Sequence, residues 1–272
     1  MRYKNIAKKI LPPFIYDWMV AKFSRSHIWE GNFKNWDEAK QKSTGYEDPI
    51  VLEKILQATL TARNSVNTTE QDGQVVPRLP SSHVAFGLIK AAFGDRKLSV
   101  LDIGGSLGTS FYCYQKLISH TSLKSFAWNV IEQRSLVEYG RQNIEDGYIR
   151  FFHTIKESLA FNQPNCILFS NSLQYLDDPE GTLREINELN ASIIILDKVA
   201  ITATSEARIC IQKTKKSIYC ASYPMHIFAL DVILNYLDNW VSIQQIDDTL
   251  SPKFTKEGFK IKYVSILLER RS

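Results

Sequence analysis

The nine residues Val100-Leu101-Asp102-Ile103-Gly104-Gly105-Ser106-Leu107-Gly108 carry the densest chemical signal in the chain. An apolar run ends in an acid, a glycine-rich turn follows, and an amphipathic stretch comes next, as in a strand, a loop and a helix. Glycine admits positive φ and lets a ligand approach the backbone. A helix behind such a turn offers free N–H groups and a positive dipole end, which suit a carboxylate or phosphate. Asp102, Gly104, Gly105, Ser106 and Gly108 are therefore candidate ligand-binding residues. The dinucleotide pattern G-x-G-x-x-G fails here, because the glycines stand at 104, 105 and 108. The nucleophile elbow G-x-S-x-G is met literally, with Asp197 and His226 following in the hydrolase order. An elbow normally follows several strands, however, and residues 1–96 show no strand series.

A third fit is the D-x-G-x-x-x-G loop of enzymes that use S-adenosylmethionine (SAM), and the next strand favours it. Phe126–Ile131 runs into Glu132, 24 residues beyond Gly108. An acid at the end of a second strand is placed to accept hydrogen bonds from ribose hydroxyls. The segment Cys166–Pro179 reads as a buried strand, a polar loop containing Ser170, Asn171 and Tyr175, and an Asp-Pro helix start.

These residues need a scaffold. From residue 97 short apolar runs alternate with amphipathic stretches. Strands are expected at 97–103, 125–131, 149–153, 165–170, 192–197, 240–246 and 260–268, with helices at 108–120, 133–144, 179–189 and 227–238. Such alternation predicts βαβ units and a mostly parallel sheet. The last two strands have only a turn between them and should pair antiparallel. Before residue 97, Asp48-Pro49 opens a helix with an apolar stripe at Leu52, Ile55, Leu56, Thr59 and Leu60. A second helix runs from about 81 to 93, and residues 64–79 read as a polar loop. Residues 24–47 hold too many aromatics for a free linker. The division expected is a helical, aromatic-rich N-terminal extension over 1–95, packed on a domain over 96–272.

Composition narrows the classes. Of 272 residues 44% are apolar and 23% charged, an ordinary globular balance. No apolar run is long enough to span a membrane, and the first residues make a poor signal peptide. Four cysteines without C-x-x-C spacing read as reduced core residues of a cytoplasmic protein. Five scattered histidines give no metal-ligand pattern, so no metal is expected. The net charge of +4 resides entirely in residues 1–23, which hold five basic groups and one acid. That distribution argues against nucleic acid as a partner. Two readings of residues 1–23 stand: a terminal arm packed through its aromatics, or a peripheral anchor on an anionic membrane.

Taken together, the Asp102–Gly108 loop, Glu132-Gln133, the Ser170–Pro179 segment and Ile195-Leu196-Asp197-Lys198 resemble class I SAM-dependent methyltransferases. With Trp29-x-Gly31, Trp36-Asp37-Glu38-Ala39 and Tyr219…Tyr223-Pro224, the chain looks like a subgroup encoded in bacterial capsule and O-antigen gene clusters. The resemblance implies a Rossmann-like α/β fold: a seven-stranded, mostly parallel sheet whose antiparallel last strand inserts beside the fifth. It implies SAM as cofactor, held by Asp102, Gly104, Gly105, Ser106, Gly108, Glu132, Gln133, Ser170 and Asn171. The family often places an acid after the third strand to meet the adenine; this chain has Phe152-His153-Thr154, so backbone groups, His153 or nearby apolar residues would hold the adenine.

Methyl transfer needs the nucleophile held in line with the methyl carbon, and a hydroxyl acceptor also needs a base. His226, Asp197 and Tyr175 are the candidate catalytic residues, with Asp197 able to orient His226. The acceptor expected is a small molecule of polysaccharide biosynthesis: a sugar, a nucleotide-linked or phosphorylated glycan precursor, methylated on a hydroxyl, phosphate or phosphoramidate. The N-terminal aromatics and the loop 199–224, with Arg208, Lys213, Lys215 and Lys216, would line its pocket. The rivals are an α/β-hydrolase with Ser106 as nucleophile and a non-catalytic partner protein that keeps the fold alone.

Overall fold

A computed structural model describes residues 28–45, 49–65, 67–77, 80–119, 121–214 and 220–271. The readings of residues 1–23, Asp48, Lys215, Lys216 and Tyr219 lie outside these described residues. In chain order the first elements are β1 (Trp29–Phe33), α1 (Trp36–Gln41), α2 (Pro49–Ala62), β2 (Thr68–Gln71), β3 (Gln74–Pro77) and α3 (Ser82–Ala92). There follow β4 (Lys97–Ile103), α4 (Thr109–Ser119), β5 (Ser125–Ile131), α5 (Arg134–Asn143), β6 (Ile149–Phe152), α6 (Ile155–Leu159) and β7 (Cys166–Ser170). A 3-10 turn (Leu173–Tyr175) leads to α7 (Pro179–Asn187), β8 (Ile193–Thr202), β9 (Arg208–Lys213) and β10 (Ser222–Ile227). The chain closes with α8 (Leu230–Asn235), β11 (Trp240–Phe254) and β12 (Lys260–Arg270).

The central sheet has the order β11-β12-β8-β7-β4-β5-β6. Strands β4 to β8 run parallel, while β12 pairs antiparallel with both β8 and β11. The last strand thus lies beside β8, the fifth of this sheet in chain order, as the family resemblance implies. Both faces are covered, which is why these strands read as continuous apolar runs. Val100, Trp128, Leu168 and Ile195 face one layer with α2, α3 and α4. Leu101, Ile167, Phe169 and Leu196 face the other with α7 and α8.

The helical, aromatic-rich segment before residue 97 also contains strands, where no strand series was expected. Among the described residues before 97, β1 joins β9 and β10 in a three-stranded antiparallel sheet, and β2 and β3 form a hairpin. The polar composition of 64–79 hid that hairpin. Its turn, Asp72-Gly73, has positive φ at both residues (52° and 68°), the geometry of a two-residue hairpin turn. The loop expected at 199–224 is likewise corrected: β8 continues to Thr202, and β9 and β10 occupy 208–213 and 222–227. Pro224 is tolerated because β10 is an edge of its sheet. Among the described residues no helix is long and apolar enough to cross a membrane. Among the described residues no disulfide joins the four cysteines; Cys166 and Cys210 are buried, whereas Cys220 is exposed rather than in the core.

Candidate functional site

The carboxyl ends of β4, β5, β7 and β8 lie side by side, and the candidate residues cluster there. Three non-glycine residues at these ends hold left-handed backbone: Ser106 after β4 (φ 53°), Asn171 after β7 (φ 58°) and Lys198 in β8 (φ 55°). Such backbone costs about 1–3 kcal/mol per residue and persists where surrounding contacts dictate it, as at functional sites.

Asp102 is fully buried on β4. The Trp128 indole donates to its Oδ2 at 3.0 Å, while Oδ1 has no partner. Burial, opposed by that hydrogen bond, pushes the carboxyl up to about 7. Gly105 covers it so closely that a Cβ there would stand 2.6 Å from the carboxyl group. Gly104 has φ +72°, and a Cβ on it would stand 2.5 Å from Ser172 Cβ. Ser172 in turn donates to the Ile103 carbonyl, which ties the loop after β7 to the end of β4.

Glu132 is pinned by backbone. Its Oε1 accepts from the Ser106 N–H at 3.0 Å and its Oε2 from the Gln133 N–H at 2.9 Å. Desolvation holds its carboxyl above the ordinary range despite those two bonds. Gln133 caps α5 through its backbone alone and is exposed. His153 is exposed, and its amide donates to Glu157 Oε2 at 2.9 Å.

The three candidate bases do not converge. Asp197 is buried, and its Oδ1 accepts from Ser265 at 2.9 Å and from Ser81 at 3.4 Å. His226 lies on β10, stacked on Trp36 with ring centroids 4.5 Å apart and on Phe228 at 5.3 Å. Its Nε2 is buried without a partner. Asp197 therefore does not orient His226, because hydroxyls from α3 and β12 hold the carboxylate instead. Desolvation pushes the imidazole down to about 4, which weakens it as a base at neutral pH. Tyr175 donates to Gln212 Oε1 at 2.9 Å, and burial holds its phenol well above its ordinary range. The same Gln212 oxygen accepts from Trp29 at 2.9 Å, and Gln212 Nε2 donates to the Tyr223 hydroxyl at 3.3 Å. These partners come from β1, β9 and β10, whose strand character the sequence reading missed.

Two further features escaped that reading. Glu70, buried on the β2–β3 hairpin, accepts from Thr109 at the start of α4 (2.8 Å) and from Gly73 N–H (2.8 Å). Gln174, fully buried, donates from Nε2 to Asn171 Oδ1 (2.8 Å) and to the Lys198 carbonyl (3.3 Å). Only the Asp72-Gly73 turn signal could have revealed the first. Of the basic residues expected to face an acceptor, Arg208 lies over the Phe259 ring and pairs with Glu206, and Lys213 pairs with Glu30.

No family model matches the chain, and no curated protein matches it. Solved structures do. The crystal structure of the [4+2]-cyclase SpnF is 11% identical over 89% of this chain and 98% of that one, with a TM-score of 0.50. The N-terminal domain of EvdMO1 with SAH bound is 11% identical over 80% of this chain and 97% of that one, with a TM-score of 0.49. A S-adenosylmethionine-dependent methyltransferase from Clostridium acetobutylicum is 9% identical over 71% and 93%, with a TM-score of 0.42. At such identities the likeness is one of fold alone: an α/β architecture with a mostly parallel sheet and an antiparallel strand.

Proposed function

We propose that this chain is a class I SAM-dependent methyltransferase acting on a small molecule. The observation that carries the reading is the Glu132 carboxylate. It bridges the glycine loop after β4 and the start of α5, with each oxygen accepting one backbone N–H. Each oxygen keeps lone-pair capacity, which suits the two hydroxyls of a ribose. The buried Asp102 carboxyl lies directly beneath Gly105 and carries negative potential under the loop. The residues therefore fit SAM: Gly104, Gly105, Ser106 and Gly108 would line it, Glu132 and Gln133 would hold the ribose end, and Ser170 and Asn171 would face it from β7. When bound, SAM supplies a methyl group already activated by the sulfonium charge. The protein's part is to align the acceptor and exclude water.

The acceptor we propose is a sugar, or a phosphate-type group on a glycan precursor, on the strength of the sequence resemblance described above. The hydrolase alternative is disfavoured by geometry. A nucleophilic Ser106 needs His226 and Asp197 in relay, whereas the His226 ring stacks on Trp36 and Phe228 with Nε2 unpartnered and Asp197 accepts from Ser81 and Ser265. Calorimetric titration of the full chain with SAM and S-adenosylhomocysteine tests the proposal. One site of micromolar affinity is expected, and no heat with either ligand would overturn it. Binding without turnover on any lysate fraction would favour the non-catalytic partner.

A further inference from the structure

Asn171 and Lys198 stand just beyond the paired ends of β7 and β8, where Ser170 lies opposite Asp197. Both are exposed, and both hold left-handed backbone, φ 58° and 55°. One side chain fixes the pair. Gln174 is fully buried, and its Nε2 reaches both Asn171 Oδ1 and the Lys198 carbonyl. The Lys198 carbonyl can only accept, so the Gln174 amide must turn its nitrogen that way. Asn171 must then offer Oδ1 to the same nitrogen, which leaves its Nδ2, with two donor hydrogens, directed away from Gln174. The arrangement leaves Gln174 Oε1 buried without a partner, a cost that holding both neighbours offsets. Further bonds hold the backbone: Asn171 N–H donates to the Asp197 carbonyl, and Lys198 N–H to Ser265 Oγ.

What this clamp holds in adjacent register, just past Ser170 and Asp197, is an asparagine and a lysine, an amide donor and an ammonium. Among the described residues no ion pair engages Lys198. The adjacent Asp197 accepts from the Ser81 and Ser265 hydroxyls on Oδ1. The reaction points the same way. The Tyr175 hydroxyl donates to Gln212 and His226 is stacked on Trp36 and Phe228, and an acceptor that is already an oxyanion needs no base.

We propose that Asn171 Nδ2 and Lys198 Nζ bind an oxyanion of the methyl acceptor, so that the acceptor is a phosphate- or carboxylate-bearing molecule rather than a neutral alcohol. The inference rests on the reading of the chain as a SAM-dependent methyltransferase. An acceptor oxyanion supplies the electron pair of the new O–C bond, the pair of the broken C–S bond stays on sulfur, and no proton is released. The product carries one negative charge fewer than the acceptor.

The test uses the full chain saturated with S-adenosylhomocysteine and titrated with inorganic phosphate in one arm and acetate in the other, at fixed ionic strength. At least one anion should bind. Lys198→Met should weaken it about tenfold, as expected for loss of a charge-assisted contact, and Lys198→Arg should retain it. Asn171→Gly, which accepts the left-handed backbone, should weaken it about threefold or more. The arm that responds identifies phosphate or carboxylate. The inference is overturned if neither anion binds, or if Lys198→Met binds as tightly as the wild type. Failure of S-adenosylhomocysteine itself to bind would instead overturn the methyltransferase reading on which it stands.

Discussion

The Trp128 indole N–H donates to Asp102 Oδ2 across two adjacent parallel strands, and the other carboxylate oxygen is left buried with no partner. One hydrogen bond does not compensate for removing a full charge from water, so the carboxyl is pushed up to about 7. A carboxyl whose folded value is raised stabilises the fold below its unfolded value and loses that contribution as pH rises through the folded one. The window here runs from about 4 to about 7, and the loss is about 4 kcal/mol at most. Asp102→Asn removes the titration, and its amide oxygen still accepts from Trp128. Melting temperatures measured from pH 4 to pH 8 should fall less steeply in the variant, which should exceed the wild type at pH 8. A slope equal to that of the wild type would show that Asp102 is not the group responsible.

Glu132→Ala should weaken SAM binding at least tenfold, since charge-assisted hydrogen bonds contribute about 1.5–3 kcal/mol each. It also frees the Ser106 and Gln133 N–H groups that now bond the carboxylate. Glu132→Gln keeps one acceptor oxygen, so it should satisfy one of them and lose less. Calorimetry with S-adenosylhomocysteine separates the two variants, and unchanged affinity in Glu132→Ala would reject the ribose assignment.

Gly104 is constrained twice, by φ +72° and by Ser172 Cβ at 2.5 Å from where its own Cβ would stand. The obstacle is a neighbouring side chain of this protein. Gly104→Val should therefore cost stability as well as cofactor binding. The smaller Gly104→Ala should destabilise by about 2–4 kcal/mol, combining left-handed backbone with overpacking. Ser172→Gly removes the atom it strikes, so the double variant should recover part of that loss. A double-mutant cycle by urea unfolding measures the coupling, and strict additivity would mean that the two residues do not collide.

The parallel strands were legible because burial on both faces turns them into apolar runs, and the glycine loop was legible because its acid and glycines are set by backbone geometry. Strand β9, Arg208–Lys213, was not. Only its central Cys210 and Ile211 are buried, and charges close both ends, so it resembles a solvated loop. Strand β8 looked finished at Asp197 because Lys198 is exposed, yet the chain only kinks there and continues to Thr202. Pro224 disguised β10 as a turn. The candidate site divides likewise. Asp102, Gly104, Ser106 and Glu132 follow from local pattern. The commitments of Tyr175 to Gln212 and of Asp197 to Ser265 span 37 and 68 residues and depend on which strands become neighbours.

His226 offers a prediction in which two buried groups oppose one another. Its ring, stacked between Trp36 and Phe228, is pushed down to about 4 by desolvation. A base whose folded value is lowered stabilises the fold above its unfolded value, near 6.5, and loses that contribution as pH falls toward 4. At most about 3 kcal/mol is involved. Over the same window Asp102 contributes with the opposite sign, so the two partly cancel in the wild type. His226→Phe keeps an aromatic ring in the stack and removes the proton site. Its stability, measured by urea unfolding at pH 4.5, 5.5, 6.5 and 7.5, should therefore fall more steeply with rising pH than that of the wild type. Adding Asp102→Asn should flatten the profile again. Profiles of His226→Phe and wild type that run parallel would mean that the imidazole titrates as if in water. The buried ring stacked on Trp36 and Phe228 would then not be its state in solution.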